Sequence, residues 1–364
     1  MSDKNLLSPI KLGPYELPNR IAMAPMTRNR ATNPEFAAGS IQATYYTQRA
    51  GAGLLISEGS QISPQAVGYP NTPGVYSPAQ VAGWKQVTDA VHAAGGRIFC
   101  QLWHVGRISL PDFHDGKPPV APSAVNPETT LYAPDGSQKP TVTPHALSLA
   151  EIRSTLDDYT HAARSALEAG FDGVEIHAAN GYLLNQFLID TSNQRTDEYG
   201  GSVEKRARIV FEVVEAVAGV WGADRVGIRL SPSGLFNIGA GSDNRSQFDY
   251  VIDRLNDHAL AYLHLMEPFA PVDEIPNMIP HVAEHYRPRY RGTLIINNGF
   301  DQARGDAAIA QGLADMVAFG KPFISNPDLP ARFAAGAPLA EYDQNTFYVG
   351  GEKGYIDYPA YSAA

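Results

Sequence analysis

Short apolar runs alternate along almost the whole chain with longer segments whose apolar positions recur at helical spacing, a pattern that favours a parallel sheet connected by helices. Eight runs predict strands. Four are Arg20–Ala24, Leu54–Ser57, Arg97–Gln101 and Gly173–His177; four more are Val226–Leu230, Ala261–Leu265, Thr293–Ile296 and Met316–Phe319. Eight is the number that closes a (β/α)8 TIM barrel, an α/β architecture that a chain of 364 residues can build as a single domain spanning 1–364.

Two of the intervening helices announce their own starts. Ser148-Leu-Ala-Glu151 reads as a capping box, followed by Ile152, Leu156, Tyr159, Ala163 and Leu167 on one stripe, with Gly170 to terminate the helix. Ser77-Pro-Ala-Gln80 opens another, Pro78 suiting the first helical position and Val81, Trp84, Thr88 and Val91 forming the stripe. Lys11–Pro18 predicts a tight hairpin that plugs the barrel bottom. The stretch 105–144, after the third strand, lacks helical periodicity and is rich in Pro, Gly, Asp and Ser; it is either disordered or a functional excursion over the active face. No internal repeat is present.

Composition narrows the function classes. With 44% hydrophobic and 18% charged residues, no run approaches the roughly 18 apolar residues of a membrane span. The N-terminal residues lack a charged segment followed by an apolar stretch, and the terminal Tyr-Ser-Ala-Ala carries no recognisable address, so a cytoplasmic protein without a membrane partner is expected. A net charge of −10 argues against a nucleic-acid partner, because phosphate-backbone binding needs clustered Lys and Arg. The single cysteine, Cys100, excludes an internal disulfide and multi-cysteine metal sites, and no metal is expected. Strand alternation points Cys100 away from its neighbour Gln101.

In such a barrel, chemistry sits where the strands end. Following each strand outward gives Pro25-Met-Thr27, Glu58-Gly59, Gln101 to His104, His177 to Tyr182, Arg229, Met266-Glu267, Asn297-Asn-Gly299 and Gly320-Lys321. The fourth end is the densest: His177, Asn180 and Tyr182 bring an imidazole, a carboxamide and a phenol within six positions, a set able to polarise a carbonyl and supply a proton. Arg229 lies in an otherwise apolar run and needs an accepting partner, either a structural carboxylate or a bound group that becomes negative. Asn298, Gly299 and Gly320 either cradle a phosphate with the help of Lys321 or merely form turns. No Walker or Gly-x-Gly-x-x-Gly fingerprint follows a predicted strand, so a separate dinucleotide domain is not expected.

Five segments in order resemble the signatures of the old yellow enzyme family of flavin-dependent ene-reductases. They are Asn19-Arg-Ile-Ala-Met-Ala-Pro-Met-Thr-Arg28, Gln101-Leu-Trp-His-Val-Gly-Arg107, His177-Ala-Ala-Asn-Gly-Tyr182, Asn193-Gln-Arg-Thr-Asp-Glu-Tyr-Gly-Gly201 and Gly354-Tyr-Ile-Asp-Tyr-Pro359. The resemblance implies non-covalent FMN, with Pro25, Met26, Thr27, Gly59, Gln101 and Arg229 around the ring system and Asn298, Gly299, Gly320 and Lys321 at the phosphate. Lys321 departs from the Arg of many relatives, keeping the charge and losing the bidentate fork. His177 and Asn180 match the pair that binds the substrate's activating oxygen, Tyr182 the proton donor, and Tyr69, Trp103 and Tyr355 the aromatic walls of the substrate cavity. The alignment at Phe269 is too loose to assign.

The implied reaction is a ping-pong reduction of activated alkenes such as unsaturated carbonyl or nitro compounds. NADPH or NADH delivers hydride to FMN N5; hydride then passes to the alkene β-carbon while Tyr182 protonates the α-carbon. A monomer or a homodimer would serve. Two other classes compete: a flavin-binding redox sensor, which would not need the proton donor, and a flavin-free barrel acting on a phosphorylated metabolite.

Overall fold

All eight apolar runs become strands of one closed parallel barrel in the computed structural model, which describes residues 4–361. In chain order they are β1 (Ile21–Met23), β2 (Leu54–Ile56), β3 (Ile98–Trp103), β4 (Gly173–Ala178), β5 (Val226–Leu230), β6 (Tyr262–Met266), β7 (Leu294–Asn297) and β8 (Met316–Phe319). Each pairs in parallel with its sequence neighbours, and β8 closes the ring on β1 through Val317↔Ile21 to Phe319↔Met23. Residues 1–3 and 362–364, on which parts of the leader and tail readings fall, lie outside the described residues.

Alternation along each strand divides the side chains into two sets. The outward set, including Cys100, Ile176 and Ile228, packs under the helices in the main core. The inward set is apolar at the strand starts, where Leu54, Ile56, Phe99, Tyr262, Ile295 and Met316 share one buried cluster. Two glycines make this layer fit: a Cβ on Gly227 would overlap the Tyr262 ring, and one on Gly173 would meet the Phe99 ring.

The barrel bottom is stoppered as expected. Ile10–Leu12 pairs antiparallel with Tyr15–Leu17, and Leu12 and Leu17 join the interior cluster. Gly13 turns the hairpin at φ +53°, where a side chain would also collide with the Asp224 carbonyl. The Tyr15 hydroxyl donates to the Asp172 carbonyl at 2.8 Å, tying the hairpin to the start of β4.

The helix at Pro78–Ala93 has its capping box, with the Ser77 and Gln80 side chains exchanging bonds with each other's backbone N–H, and Val81, Trp84, Thr88 and Val91 are buried. The helix at Leu149–Glu168 is boxed in the same way by Ser148 and Glu151. Its stripe is rotated from the expected one: Thr155, Ala162 and Ala166 are buried, whereas Leu167 is 44% exposed. Small residues let this helix lie close to the barrel, so the bulky Leu167 is turned outward.

The 105–144 segment is an ordered excursion. It carries an antiparallel pair, Thr130–Tyr132 with Gln138–Pro140, and a parallel bridge from Val120–Ala121 to His145–Ala146. Leu131 and Ala133 pack with Trp103, Val105 and Tyr182, which seats the hairpin over the C-terminal ends of β3 and β4. Among the described residues no helix is long and apolar enough to cross a membrane.

Candidate active site

Moving up the barrel axis, the inward positions change from apolar to polar. Gln101 on β3 lies opposite Glu175 on β4, and His177, Arg229 and His264 stand in register across β4, β5 and β6. One further step outward places Trp103 beside His177, with ring centroids 6.3 Å apart. Parallel pairing therefore converts five polar residues scattered over more than 160 positions into one layered site.

At the mouth, Trp103, His177, Tyr182 and Tyr69 form an aromatic cluster. The Tyr182 ring stands edge-on to His177 at 5.0 Å and to Trp103 at 5.1 Å, while Tyr69 stacks on Trp103 at 5.3 Å. The Tyr69 and Tyr182 hydroxyls are 3.0 Å apart, and either can donate. Burial first, and then the neighbouring Tyr69, pushes the Tyr182 phenol well above its ordinary value, so it is protonated at neutral pH. His177 is held well below its ordinary value by burial and then by the charge of Arg229, which keeps the imidazole neutral. Its Nδ1 accepts from the Ala179 N–H at 3.3 Å, so the ring proton belongs on Nε2.

Asn180 adopts φ +59°, a left-handed conformation that asparagine tolerates and that turns the chain sharply after β4. Two bonds hold it: its N–H donates to Ser231 Oγ at 2.9 Å, and its carbonyl accepts from Asn237 Nδ2 at 3.2 Å. Its own Oδ1 is buried without a partner, as is Trp103 Nε1. Gly181 is confined by the same loop, since a Cβ there would stand 2.7 Å from Asn237 Cβ.

Below this mouth lies a polar floor. Gln101 Nε2 donates to Glu175 Oε1 at 2.8 Å, and Glu175 Oε2 meets His264 Nδ1, also at 2.8 Å. Arg229 Nη2 donates to Asn297 Oδ1 at 2.9 Å, and Arg229 Nε is buried with no partner. Among the described residues no carboxylate forms an ion pair with this guanidinium, whose direct partner is the Asn297 carboxamide. Burial lowers the Arg229 pKa against the opposing charge of Glu175.

The rim is built from the ends of β1, β2, β7 and β8. Pro25, Met26 and Thr27 are half-buried after β1, and Met26 reaches Gly320 after β8: a Cβ on Gly320 would meet only Met26 Sδ, at 3.6 Å. Gly59 is required by its neighbour, as a Cβ there would lie 2.7 Å from the Trp103 ring. Asn298 and Gly299 turn at φ +77° and +80°, and Asn298 Nδ2 donates to the Glu267 and Pro268 carbonyls at 3.0 Å each. Gly299 has open space beside it, bounded only by Arg304 at 3.8 Å, and borders a cavity of about 590 Å³ shared with Glu267, His281 and Arg304. Lys321 is exposed, its Nζ 5.8 Å from the Tyr342 ring centroid.

The expected wall residue Tyr355 is not brought to this cluster. It is fully buried, stacked on Tyr45 at 4.0 Å with the Arg28 and Arg30 guanidinium groups 5.1 and 4.5 Å from its ring centroid, and it anchors the C-terminal segment. The tyrosine of that segment within electrostatic reach of both Tyr69 and Tyr182 is Tyr348, 57% exposed. Sequence reasoning also passed over Asn237, Glu175 and His264. The last two share the inward parity of His177 and Arg229, which was the available signal. Phe269 is 65% exposed and borders both the cavity beside Gly299 and an adjoining apolar one of about 400 Å³ with Leu235 and Phe236.

The chain matches the NADH:flavin oxidoreductase / NADH oxidase family over residues 5–340. It is 46% identical over 360 residues to 12-oxophytodienoate reductase 1 of Oryza sativa subsp. japonica, covering 97% of this chain and 92% of the relative. To 12-oxophytodienoate reductase 2 of Arabidopsis thaliana it is 42% identical over 359 residues, covering 98% and 95%. Among solved structures, morphinone reductase in complex with tetrahydroNAD superposes with TM-score 0.92 at 48% identity, covering 99% and 98%. An old yellow enzyme homologue from Zymomonas mobilis gives 0.93 at 42% identity, covering 98% and 99%.

Proposed function

The chain belongs to the NADH:flavin oxidoreductase family of old yellow enzyme type, and on that premise we propose that it is an FMN-dependent ene-reductase driven by NADPH or NADH. Its substrates, on this reading, are alkenes activated by a carbonyl, nitro or related group. The observation that carries the reading is the trio at the end of β4: a neutral His177, Asn180 with a buried, unpartnered Oδ1, and a protonated Tyr182 in edge contact with the imidazole.

The residues present fit the cofactor. Arg229 keeps an unpartnered buried Nε, and the turns at Gly299 and Gly320 leave open space with Lys321 adjacent. Pro25, Met26, Thr27, Gly59, Gln101 and Arg229 would hold the ring system, and Asn298, Gly299, Gly320 and Lys321 the phosphate. FMN, when bound, supplies the hydride.

The chain's own residues supply the rest. His177 offers Nε2–H and Asn180 its carboxamide N–H to the activating oxygen; two fixed donors stabilise charge developing there and make the β-carbon more electrophilic. Neutrality matters, because a neutral imidazole donates a hydrogen bond without surrendering its proton. The raised pKa of Tyr182 suits a late acid, one that parts with its proton only to a strongly basic carbon. A bond donated by Tyr69 to Tyr182 Oη leaves the Tyr182 proton free for the α-carbon. Trp103 and Tyr69 provide flat walls.

The relatives' names support a ketone-bearing substrate, since 12-oxophytodienoate and morphinone both denote carbonyl compounds, and the tetrahydroNAD in morphinone reductase supports a nicotinamide reductant. The test begins with the visible spectrum and proceeds to turnover of enones, nitroalkenes and maleimides with each nicotinamide. A colourless protein that gains no flavin absorbance when given FMN would sink the assignment. Rapid flavin reduction with no turnover of any activated alkene would favour a redox sensor.

A further inference from the structure

We propose that Glu175 is a positioning residue that orients Gln101, balances the charge of Arg229 and thereby sets the reduction potential of bound FMN. The inference rests on the FMN-binding reading above. A carboxylate in the barrel interior is unusual enough to require a reason: Glu175 and His264 are both fully buried, and taking an ion out of water costs several kcal/mol unless it is well paired. Neither residue belongs to the aromatic cluster at the mouth.

The pairing that Glu175 does make is selective. Its Oε2 accepts from His264 Nδ1 and its Oε1 from Gln101 Nε2. A carboxylate only accepts, so it dictates which end of the Gln101 amide faces it. Reversing the amide would set two oxygens against each other. Gln101 Oε1 and the second N–H are therefore left for other partners. His264, spending Nδ1–H on the carboxylate, is left with a buried Nε2 that has no partner. Burial opposes ionisation of Glu175, but His264, Arg229 and Gln101 outweigh it and the group stays a carboxylate.

With both oxygens occupied, Glu175 forms no ion pair with Arg229. It still acts on Arg229 through space, and Arg229 acts on it. The floor thus carries one negative and one positive charge at neighbouring positions, and neither is quenched by direct contact. A bound group that gains negative charge on reduction is favoured by Arg229 and opposed by Glu175. The balance of the two sets how readily reduction occurs.

The experiment uses the FMN-loaded protein and the variants Glu175→Gln and Glu175→Asp, with the flavin midpoint measured by equilibration against reference dyes. Glu175→Gln keeps the shape and removes the charge; its midpoint should move positive by roughly tenfold in the redox equilibrium, about 30 mV for a two-electron couple. Glu175→Asp keeps the charge and should stay near wild type. An FMN-loaded Glu175→Gln protein at the wild-type midpoint overturns the proposal, as do equal shifts in both variants. Should Glu175→Gln fail to hold FMN, the double variant Glu175→Gln/His264→Asn, which also removes the imidazole hydrogen-bonded to the lost carboxylate, is read by the same criterion. If neither folds, the carboxylate is a structural requirement and the proposal falls. Wild-type protein that binds no FMN instead defeats the functional reading itself.

Discussion

Tyr182 and Glu58 show how burial assigns opposite duties to two acids near the same barrel rim. For Tyr182 the consequence is kinetic. Tyr182→Phe should leave flavin reduction by the nicotinamide within about twofold and slow alkene reduction by about 10²-fold or more, the usual worth of a positioned acid. Stopped-flow measurement of the two half-reactions checks this; equal impairment of both would reject the role. For Glu58 the consequence is stability. Its Oε2 accepts from the Arg28 N–H at 3.2 Å while Oε1 is buried without a partner, and burial lifts its pKa to about 7 against the pull of Arg28 and Arg30. A folded pKa above the unfolded value means that the native state binds the extra proton between about 4.5 and 7. Stability from this group is therefore greatest below that window and declines as pH rises through it, by about 3 kcal/mol in all. Glu58→Gln cannot ionise, so its unfolding midpoint should gain on wild type between about pH 5 and pH 8. A constant gap between the two proteins would refute the assignment. His177, Asn180, Tyr182 and Arg229 could be singled out from sequence because each is polar at the end of, or inside, an apolar run. Tyr348 could not: the segment after Leu339 holds five tyrosines with no periodicity, and only packing decides which of them comes within electrostatic reach of Tyr182.

Elements whose local chemistry and long-range packing agree were readable in advance. All eight strands fall within a residue or two of the apolar runs, and both capping boxes form where Ser77 and Ser148 predicted them. The strands inside the 105–144 excursion were not readable, because they are two or three residues long, so no alternation has room to show. What holds the excursion to the barrel includes Leu131 on the aromatic cluster and Arg195 donating to the Pro122 carbonyl, contacts between residues far apart in the chain. The strands, in turn, depend on small residues at crowded positions. Gly227 on β5 faces the Tyr262 ring of β6, and the two residues are register partners. Gly227→Ala should destabilise the fold by about 1–3 kcal/mol through overpacking, and Gly227→Ala/Tyr262→Phe, which retains the ring, should recover little of it. Chemical denaturation measures both. A neutral Gly227→Ala would mean that the ring shifts freely, contrary to the close packing of the inward layer.

At the scale of the whole molecule, the barrel separates stability from chemistry along one axis. Its start is apolar and stoppered by Leu12 and Leu17; its middle holds the Gln101, Glu175, His264 and Arg229 floor; its end carries the aromatic mouth. A strand rises about 3.3 Å per residue, so the two ends of β5 lie roughly 13 Å apart, with the stopper below one and the mouth above the other. Truncating the stopper should therefore affect folding and spare the reaction. Leu17→Ala removes a side chain that is 1% exposed and should cost about 2–5 kcal/mol, the range for a cavity in a packed core. Under conditions where the variant is folded, its FMN absorbance and both half-reaction rates should match wild type. The polar floor is what makes the outcome informative, because it lies between the two ends and its bonds hold Gln101 and Arg229 in place. Rates that fall together with stability would show that repacking at the bottom is transmitted through that floor, and the separation of the two ends would then be one of geometry alone.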